Sequence, residues 1–231
     1  MGSGFLFRAF ARPYELLVYQ ESWKAHCRRL LALLPEGSGR RVLDLGCGPG
    51  VSALAMREAS PTDRYVGVDL SGQMVRRACA RRERAGLTAG ELPFVQADAS
   101  RLPFPDGAFD GVTGHSFLYL VSDRSAVLAE IRRVLRPGGG LVLLEPRRGP
   151  SVGPVLRSLS GGLRFAASMA AWRVVSRGFG QFREETLRAT IEGAGFSGVR
   201  VEPTLRGLGL FASARRAERR EGDPARRPGS S

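Results

Sequence analysis

The sequence predicts an α/β fold built on a mostly parallel sheet. Short aliphatic runs alternate with helical patterns between residues 41 and 145, and the first run ends in a glycine-rich turn. The last two apolar runs are joined by Arg206-Gly207, a link so short that it permits only an antiparallel hairpin. Repeated strand–helix units require a parallel sheet covered by helices on both faces. The length of 231 residues favours one such domain.

The chain divides into three parts on composition and periodicity. Residues 1–38 are predicted to form an N-terminal helical cap, because apolar residues recur there at helical spacing. Residues 39–214 form the main domain, within which residues 147–182 are a lid-like insertion. Residues 215–231 are basic and rich in proline and glycine, which predicts a disordered tail.

The first strand and its turn are the most informative part of the chain. Arg41–Leu45 is predicted as a buried strand, Gly46, Gly48 and Gly50 follow at alternate positions, and Val51–Ala59 is helical. Glycine suits a turn that needs positive φ or that lets a ligand lie against the main chain. The G-x-G-x-G spacing differs from the G-x-G-x-x-G of dinucleotide-binding folds, which disfavours a nicotinamide dehydrogenase.

The remaining elements follow from the same pattern of aliphatic runs and stop signals. Ser71 is predicted to cap the helix that runs to about Ala85, and Arg136–Gly139 and Gly195 end two later helices. Two further helices are predicted at Asp123–Leu135 and Glu184–Ala194. Further strands are predicted at Tyr65–Leu70, Pro93–Asp98, Phe109–Thr113, Leu141–Glu145, Val199–Leu205 and Leu208–Ala214.

The motifs themselves resemble those of a known family. Val42–Gly50 resembles the first motif of the class I S-adenosylmethionine-dependent methyltransferases, and Asp69, Asp98, Leu135–Leu141 and Glu145 match later motifs in the family's order. The resemblance implies a Rossmann-like seven-stranded sheet with an antiparallel C-terminal hairpin. It also implies S-adenosyl-L-methionine as cofactor and a small acceptor, as in the quinone, lipid and natural-product methyltransferases.

The resemblance assigns roles to residues of the cofactor site. Asp69 would accept hydrogen bonds from both ribose hydroxyls, although an aspartate there can also cap the next helix. Asp98 would receive the adenine amino group and the N–H of Ala99 would serve the ring. Asp44 would lie beneath the turn, and Met74 would pack either on adenine or in the core. The predicted cofactor contacts are Asp44, Gly46, Gly48, Gly50, Asp69, Leu70, Met74, Asp98, Ala99 and His115.

The loop after the fourth strand, Gly114–Tyr119, is the predicted acceptor side of the site. His115 is a candidate general base, since the ordinary pKa of histidine lies near neutrality. A pocket-lining or backbone-bonded histidine is the alternative, and His26 is predicted to pack in a helix. The loop lacks the Asn/Asp-Pro-Pro-aromatic motif of amino-methylating nucleic-acid enzymes, which favours a small-molecule acceptor.

The insertion is predicted to be a folded lid over an apolar acceptor. Gly161-Gly162 would divide it into two helices. Its arginines include those at positions 157, 164, 173 and 177. At about 100° per residue, the first two share one side and the last two fall nearly opposite. This arrangement predicts no single basic face of the kind that binds membranes.

Charge and cysteine content leave several partners open. The net charge of +13 could attract nucleic acid or anionic lipid, but the charges are scattered, which favours a compositional bias. An RNA methyltransferase and a non-catalytic cofactor-binding scaffold remain alternatives. The three widely spaced cysteines predict neither disulfides nor a metal site, and with no secretory signal or membrane span they predict a cytoplasmic protein. Phe5, Phe7 and Phe10 could join the lid, pack in the core or make transient membrane contact.

Overall fold

A computed structural model describes residues 21–150 and 152–218, so the predictions for residues 1–20 and 219–231 lie outside the described residues. The strands are β1 Arg41–Leu45, β2 Arg64–Asp69, β3 Phe94–Gln96, β4 Phe109–His115, β5 Leu135–Pro146, β6 Phe196–Thr204 and β7 Gly209–Arg216. The helices are α1 Glu21–Ala32, α2 Val51–Ala59, α3 Gly72–Arg84, α4 Arg124–Val134, α5 Val152–Arg157, α6 Leu163–Phe179 and α7 Glu184–Gly193.

The seven strands form one sheet in the order β3-β2-β1-β4-β5-β7-β6. The first five strands are paired in parallel, whereas β7 runs antiparallel to both β5 and β6. This arrangement confirms the predicted sheet and its terminal hairpin. The parallel strands therefore end at one common edge, which carries the glycine turn and the loops that follow β2, β3 and β4.

Helices cover both faces of the sheet, as predicted. On one face, α4 and α7 pack through buried aliphatic residues such as Leu128, Ile131 and Leu187. On the other face, α1, α2 and α6 pack around a second core cluster that includes Leu30 and Met56. The side chains of all five residues have no exposed surface. Burying aliphatic groups of this size is the main source of favourable free energy of folding.

Several element boundaries differ from the predicted ones because pairing continues past the aliphatic run. β4 runs to His115, since Gly114 and His115 pair with Leu143 and Leu144 of β5. β7 ends at Arg216, two residues inside the stretch predicted to be a disordered tail, because its last residues still pair with β6. Arg216 also donates to the carbonyl of Arg133 at 3.0 Å, which fixes the end of the strand.

The insertion consists of two helices, as predicted. A short 3-10 turn, Ser158–Gly161, separates α5 from α6, and Gly162 adopts φ of 96° between the turn and α6. Such positive φ favours glycine and breaks the helix. The side chains of Phe165, Met169 and Trp172 are buried against the second core cluster. Between residues 21 and 218, apart from residue 151, no helix is both long and apolar enough to cross a membrane.

Candidate active site

The glycine turn after β1 contains one glycine that is closely packed and one that borders open space. Gly46 and Gly48 both adopt left-handed φ, at 64° and 53°. A Cβ atom on Gly46 would lie 2.7 Å from the Cβ of Phe117, so this glycine is required for close packing. A Cβ atom on Gly48 would meet no described atom within 4 Å. The main chain at Gly48 therefore borders open space in which a ligand can lie against it.

Asp69, at the end of β2, holds this turn in place. Its Oδ2 atom accepts the N–H of Gly48 at 2.9 Å, and its Oδ1 atom accepts the N–H of Ser71 at 2.8 Å. Burial raises the pKa of Asp69, and the two N–H donors oppose that rise. The side chain of Ser71, rather than that of Asp69, caps α3 by accepting the N–H of Met74 at 3.4 Å. Asp69 therefore links the glycine turn to Ser71, the residue that caps α3.

Asp44, the fourth residue of β1, has no exposed surface, and its place in the cofactor site stays a prediction. Its carboxylate accepts hydrogen bonds from the hydroxyls of Ser52 on α2 and Thr113 on β4. Burial raises the pKa of Asp44 to about 7, and the two hydroxyl donors act in the opposite direction. Any influence of Asp44 on a ligand must pass through the turn, because the carboxylate itself is covered.

The adenine side of the predicted site presents an exposed leucine. The side chain of Leu70 is 69% exposed, whereas that of Met74 is buried. Asp98 follows β3, and its Oδ1 atom accepts both the N–H and the hydroxyl of Ser100 at 2.8 Å, which lowers the pKa of Asp98. Asp98 is exposed, so its carboxylate is accessible to a ligand. Leu70 therefore offers exposed apolar surface, whereas the burial of Met74 agrees with its alternative role in the core. The cofactor contact of Met74 stays a prediction.

Glu145, the penultimate residue of β5, fixes the loop after β4. Its carboxylate accepts three main-chain N–H groups, from Phe117 at 3.3 Å, Leu118 at 2.8 Å and Tyr119 at 3.1 Å. Full burial raises the pKa of Glu145 to about 7, and the three donors oppose that rise. Motif matching placed Glu145 in the family pattern but did not identify this role, since its partners lie about 27 residues away in the sequence.

His115 is in the predicted acceptor region, but its chemistry differs from the prediction. Burial, and to a lesser degree the charge of His26, lowers the pKa of His115 to about 3. The expectation of a near-neutral pKa is therefore wrong, and the ring is neutral and weakly basic at pH 7. The Nε2 atom of His115 is buried and has no hydrogen-bond partner among the described residues. Buried polar atoms are nearly always paired, so this unpaired nitrogen is an unusual feature of the acceptor region.

The chain's two tryptophans meet beside this histidine. The ring centroids of Trp23 and His115 are 4.3 Å apart, and those of Trp23 and Trp172 are 6.1 Å apart. The indole N–H of Trp172 donates to the hydroxyl of Ser116 at 3.0 Å. Sequence reasoning missed this cluster because α1, β4 and α6 supply its members from distant parts of the chain. The scarcity of tryptophan was the only available signal.

Comparisons with known proteins agree with this geometry. The family described as "Methyltransferase domain" matches residues 42–139. The demethylmenaquinone methyltransferase of Thermus thermophilus is 37% identical over 211 residues, which cover 85% of this chain and 93% of the relative. The 27-O-demethylrifamycin SV methyltransferase of Amycolatopsis mediterranei is 40% identical over 115 residues, 50% of this chain and 42% of the relative.

A solved structure extends the agreement to the fold. A SAM-dependent methyltransferase from Aquifex aeolicus superposes with a TM-score of 0.65 at 17% identity, covering 93% of this chain and 99% of the other. The chain therefore belongs to the class I S-adenosylmethionine-dependent methyltransferases. It is an enzyme of that class, with S-adenosyl-L-methionine as its cofactor and with the quinone and natural-product enzymes among its relatives.

Proposed function

We propose that this methyltransferase methylates a small lipophilic acceptor with a hydroxylated ring, of the quinol or polyketide type. Full-length similarity to a demethylmenaquinone methyltransferase supports the acceptor class. The observation that carries the proposal is the aromatic cluster of Trp23, Trp172 and His115 next to the loop after β4. The three cysteines are unpaired, which supports a cytoplasmic setting.

The cofactor residues fit a nucleoside-bearing ligand. The main chain at Gly48 borders open space, the Leu70 side chain is exposed, and the Asp98 carboxylate is accessible. Gly48 and Asp69 would hold the cofactor at the turn, and Leu70 and Asp98 would hold its adenine. S-adenosyl-L-methionine supplies a sulfonium methyl group that is already electrophilic, so little acid catalysis is needed from the protein.

The acceptor residues contribute orientation and exclusion of water. Trp23 and Trp172 are buried beside the loop after β4, so their rings would form an apolar wall for an aromatic acceptor that enters there. The unpartnered Nε2 of His115 can exchange a hydrogen bond with a ring hydroxyl. With a pKa of about 3, His115 is a poor proton acceptor, so we infer that it orients the acceptor and does not deprotonate it. The loop held by Glu145 keeps these groups in place.

The test is methyl transfer from labelled cofactor to defined acceptors. A short-chain demethylated naphthoquinol, a hydroxylated polyketide and total RNA are each incubated with the protein. We expect label in the quinol or the polyketide and none in RNA. Label in RNA alone would contradict the proposed acceptor class. Cofactor binding without transfer to any acceptor would favour a scaffold.

The cofactor site has its own control. Replacing Asp69 by Ala removes the acceptor of two main-chain N–H groups as well as the expected ribose contact. We expect the Kd for S-adenosyl-L-methionine to rise about a hundredfold, measured by calorimetry. Asp106→Ala is the matched control, because the Asp106 side chain is 78% exposed and lies outside this site. Unchanged affinity in Asp69→Ala would contradict the assignment of Asp69.

A further inference from the structure

The insertion carries most of the exposed apolar side chains in the described part of the chain. Eight large hydrophobic side chains are exposed among all the described residues, and six of them lie between residues 152 and 175. These six are Val152, Leu156, Leu159, Leu163, Val174 and Val175. Leu163 is 79% exposed and Val174 is 73% exposed. Clusters of exposed apolar side chains mark contact surfaces more often than isolated ones do.

Helix α6 has two apolar faces with different environments. The inward face is buried and includes Phe165, Met169 and Trp172. At about 100° per residue, Leu163, Ala167 and Val174 fall within about 40° of one another on the opposite side. All three are exposed. Arg164 and Arg177 are exposed and flank this outward stripe at roughly 100° and 320°. The outward side of α6 is therefore an apolar stripe bordered by two cations.

The charged side chains of this segment are all positive. Residues 146–183 contain no aspartate or glutamate and seven arginines, namely Arg147, Arg148, Arg157, Arg164, Arg173, Arg177 and Arg183. Arg173 is buried, and its guanidinium donates to the carbonyls of Arg147 and Gly149. The helical projection of the four arginines over both helices therefore does not apply to the surface. Gly162 breaks the helix, and Arg173 does not belong to the surface.

We propose that the outward side of α6, formed by its apolar stripe and the arginines that flank it, docks on a membrane surface containing anionic phospholipid. Apolar side chains on such a face enter the headgroup region, and flanking arginines pair with lipid phosphates. The absence of acidic residues from 146 to 183 makes the segment complementary to anionic lipid. The inference stands on this surface alone and does not depend on the identity of the acceptor.

The same helix connects this face to the acceptor loop. On the inward side of α6, the Trp172 indole donates to Ser116 in the loop after β4. Docking through the outward side would hold that loop within about one helix diameter, roughly 10 Å, of the lipid headgroups. A lipophilic acceptor would then have a short path between the bilayer and the aromatic cluster.

The test is sedimentation of the full chain with lipid vesicles. We expect binding to vesicles of phosphatidylcholine mixed with phosphatidylglycerol, weaker binding to phosphatidylcholine alone, and a decrease with added salt. The double variant Leu163→Glu/Val174→Glu should weaken binding to the mixed vesicles at least about tenfold. Arg64→Glu is the control, because it changes the net charge by the same two units at an exposed position on β2, outside the insertion.

Cofactor affinity and thermal unfolding are measured on each variant to show that the fold is intact. Equal vesicle binding by the double variant and the wild type would overturn the proposal, as would no binding by the wild type. A dimer in solution that the double variant separates, without vesicle binding, would assign the face to a second copy and overturn it too. Methylation of a short-chain acceptor in solution should be unchanged in the double variant, so failure of docking and failure of the proposed function are distinguishable.

Discussion

Two buried carboxylates serve the two sides of the active site in different ways. On the predicted cofactor side, Asp44 accepts two side-chain hydroxyls, from Ser52 on α2 and Thr113 on β4. On the acceptor side, Glu145 accepts three main-chain N–H groups of the loop after β4. The glycine turn is thus fixed by its own glycine conformations and by one main-chain hydrogen bond to Asp69, whereas three main-chain N–H groups of the loop after β4 depend on a single carboxylate from another strand.

This difference explains why one side was more predictable than the other. The turn conformation is encoded in three glycines, the strand before them and Asp69 at the end of the next strand. Any class I methyltransferase must also hold the same cofactor. The acceptor loop takes its conformation from a distant glutamate and from packing against α1 and α6. A loop that is supported from outside can change its sequence while the sheet edge beneath it stays the same.

The largest expected effect distinguishes the two left-handed glycines of the turn, of which Gly46 is closely packed and Gly48 is not. Gly46→Ala should lower the free energy of unfolding by about 2–4 kcal/mol, because the strained φ is combined with a clash against Phe117. Gly48→Ala has the same backbone strain and no clash, so we expect about 1–2 kcal/mol. Urea unfolding of both variants measures the difference. Equal losses of unfolding free energy would show that Phe117 moves aside and that the glycine turn and the loop after β4 are not packed together.

The pH dependence of stability compares the two carboxylates directly. The pKa of Asp44 and that of Glu145 are each raised to about 7, whereas unfolded carboxyl groups ionise near about 4. The stability that each contributes is fully present below about pH 4 and is lost as the pH rises through about 7. Asp44→Asn should therefore reduce the loss of stability between about pH 5 and pH 7 by about 2–3 kcal/mol. Parallel stability–pH curves for the wild type and Asp44→Asn, recorded by urea unfolding, would contradict this expected reduction.

Glu145→Gln tests the support of the acceptor loop. The amide has one acceptor oxygen and brings an N–H₂ group close to main-chain donors, so the loop loses at least one of its three bonds. We expect kcat/KM for the acceptor to fall about tenfold and the Kd for the cofactor to stay the same. Steady-state kinetics and calorimetry on one preparation separate the two quantities. A cofactor Kd that rises in parallel would show that Glu145 supports both sides.

His115→Gln should give the smallest effect. If His115 orients the acceptor without taking its proton, the amide can replace its hydrogen bond, and kcat should change by less than about threefold. The pH profile of kcat should keep its shape. Both pH profiles are measured together. An ionisation that is present in the wild-type profile and absent from that of the variant would show that His115 is a general base.

The sequence predicted the fold more fully than the site. The bounds of α2 were predicted to the residue, and the hairpin and the division of the insertion at Gly162 were confirmed. These features depend on local signals such as glycine, aliphatic periodicity and short links. The depressed pKa of His115 and the role of Glu145 were not predictable, because both result from burial by elements far away in the sequence. The assignment of individual cofactor contacts stays a prediction.

The position of β7 has a consequence for the order of folding. β7 is the last strand among the described residues, yet it lies inside the sheet, between β5 and β6. The strands β1 to β4, which carry the cofactor edge, pair with one another through connections that lie entirely before residue 116. Glu145 pairs with Leu210, so the strand that supports the acceptor loop gains its second neighbour only after a long-range pairing. During synthesis, a nascent chain can therefore assemble the cofactor edge well before it can secure the acceptor loop.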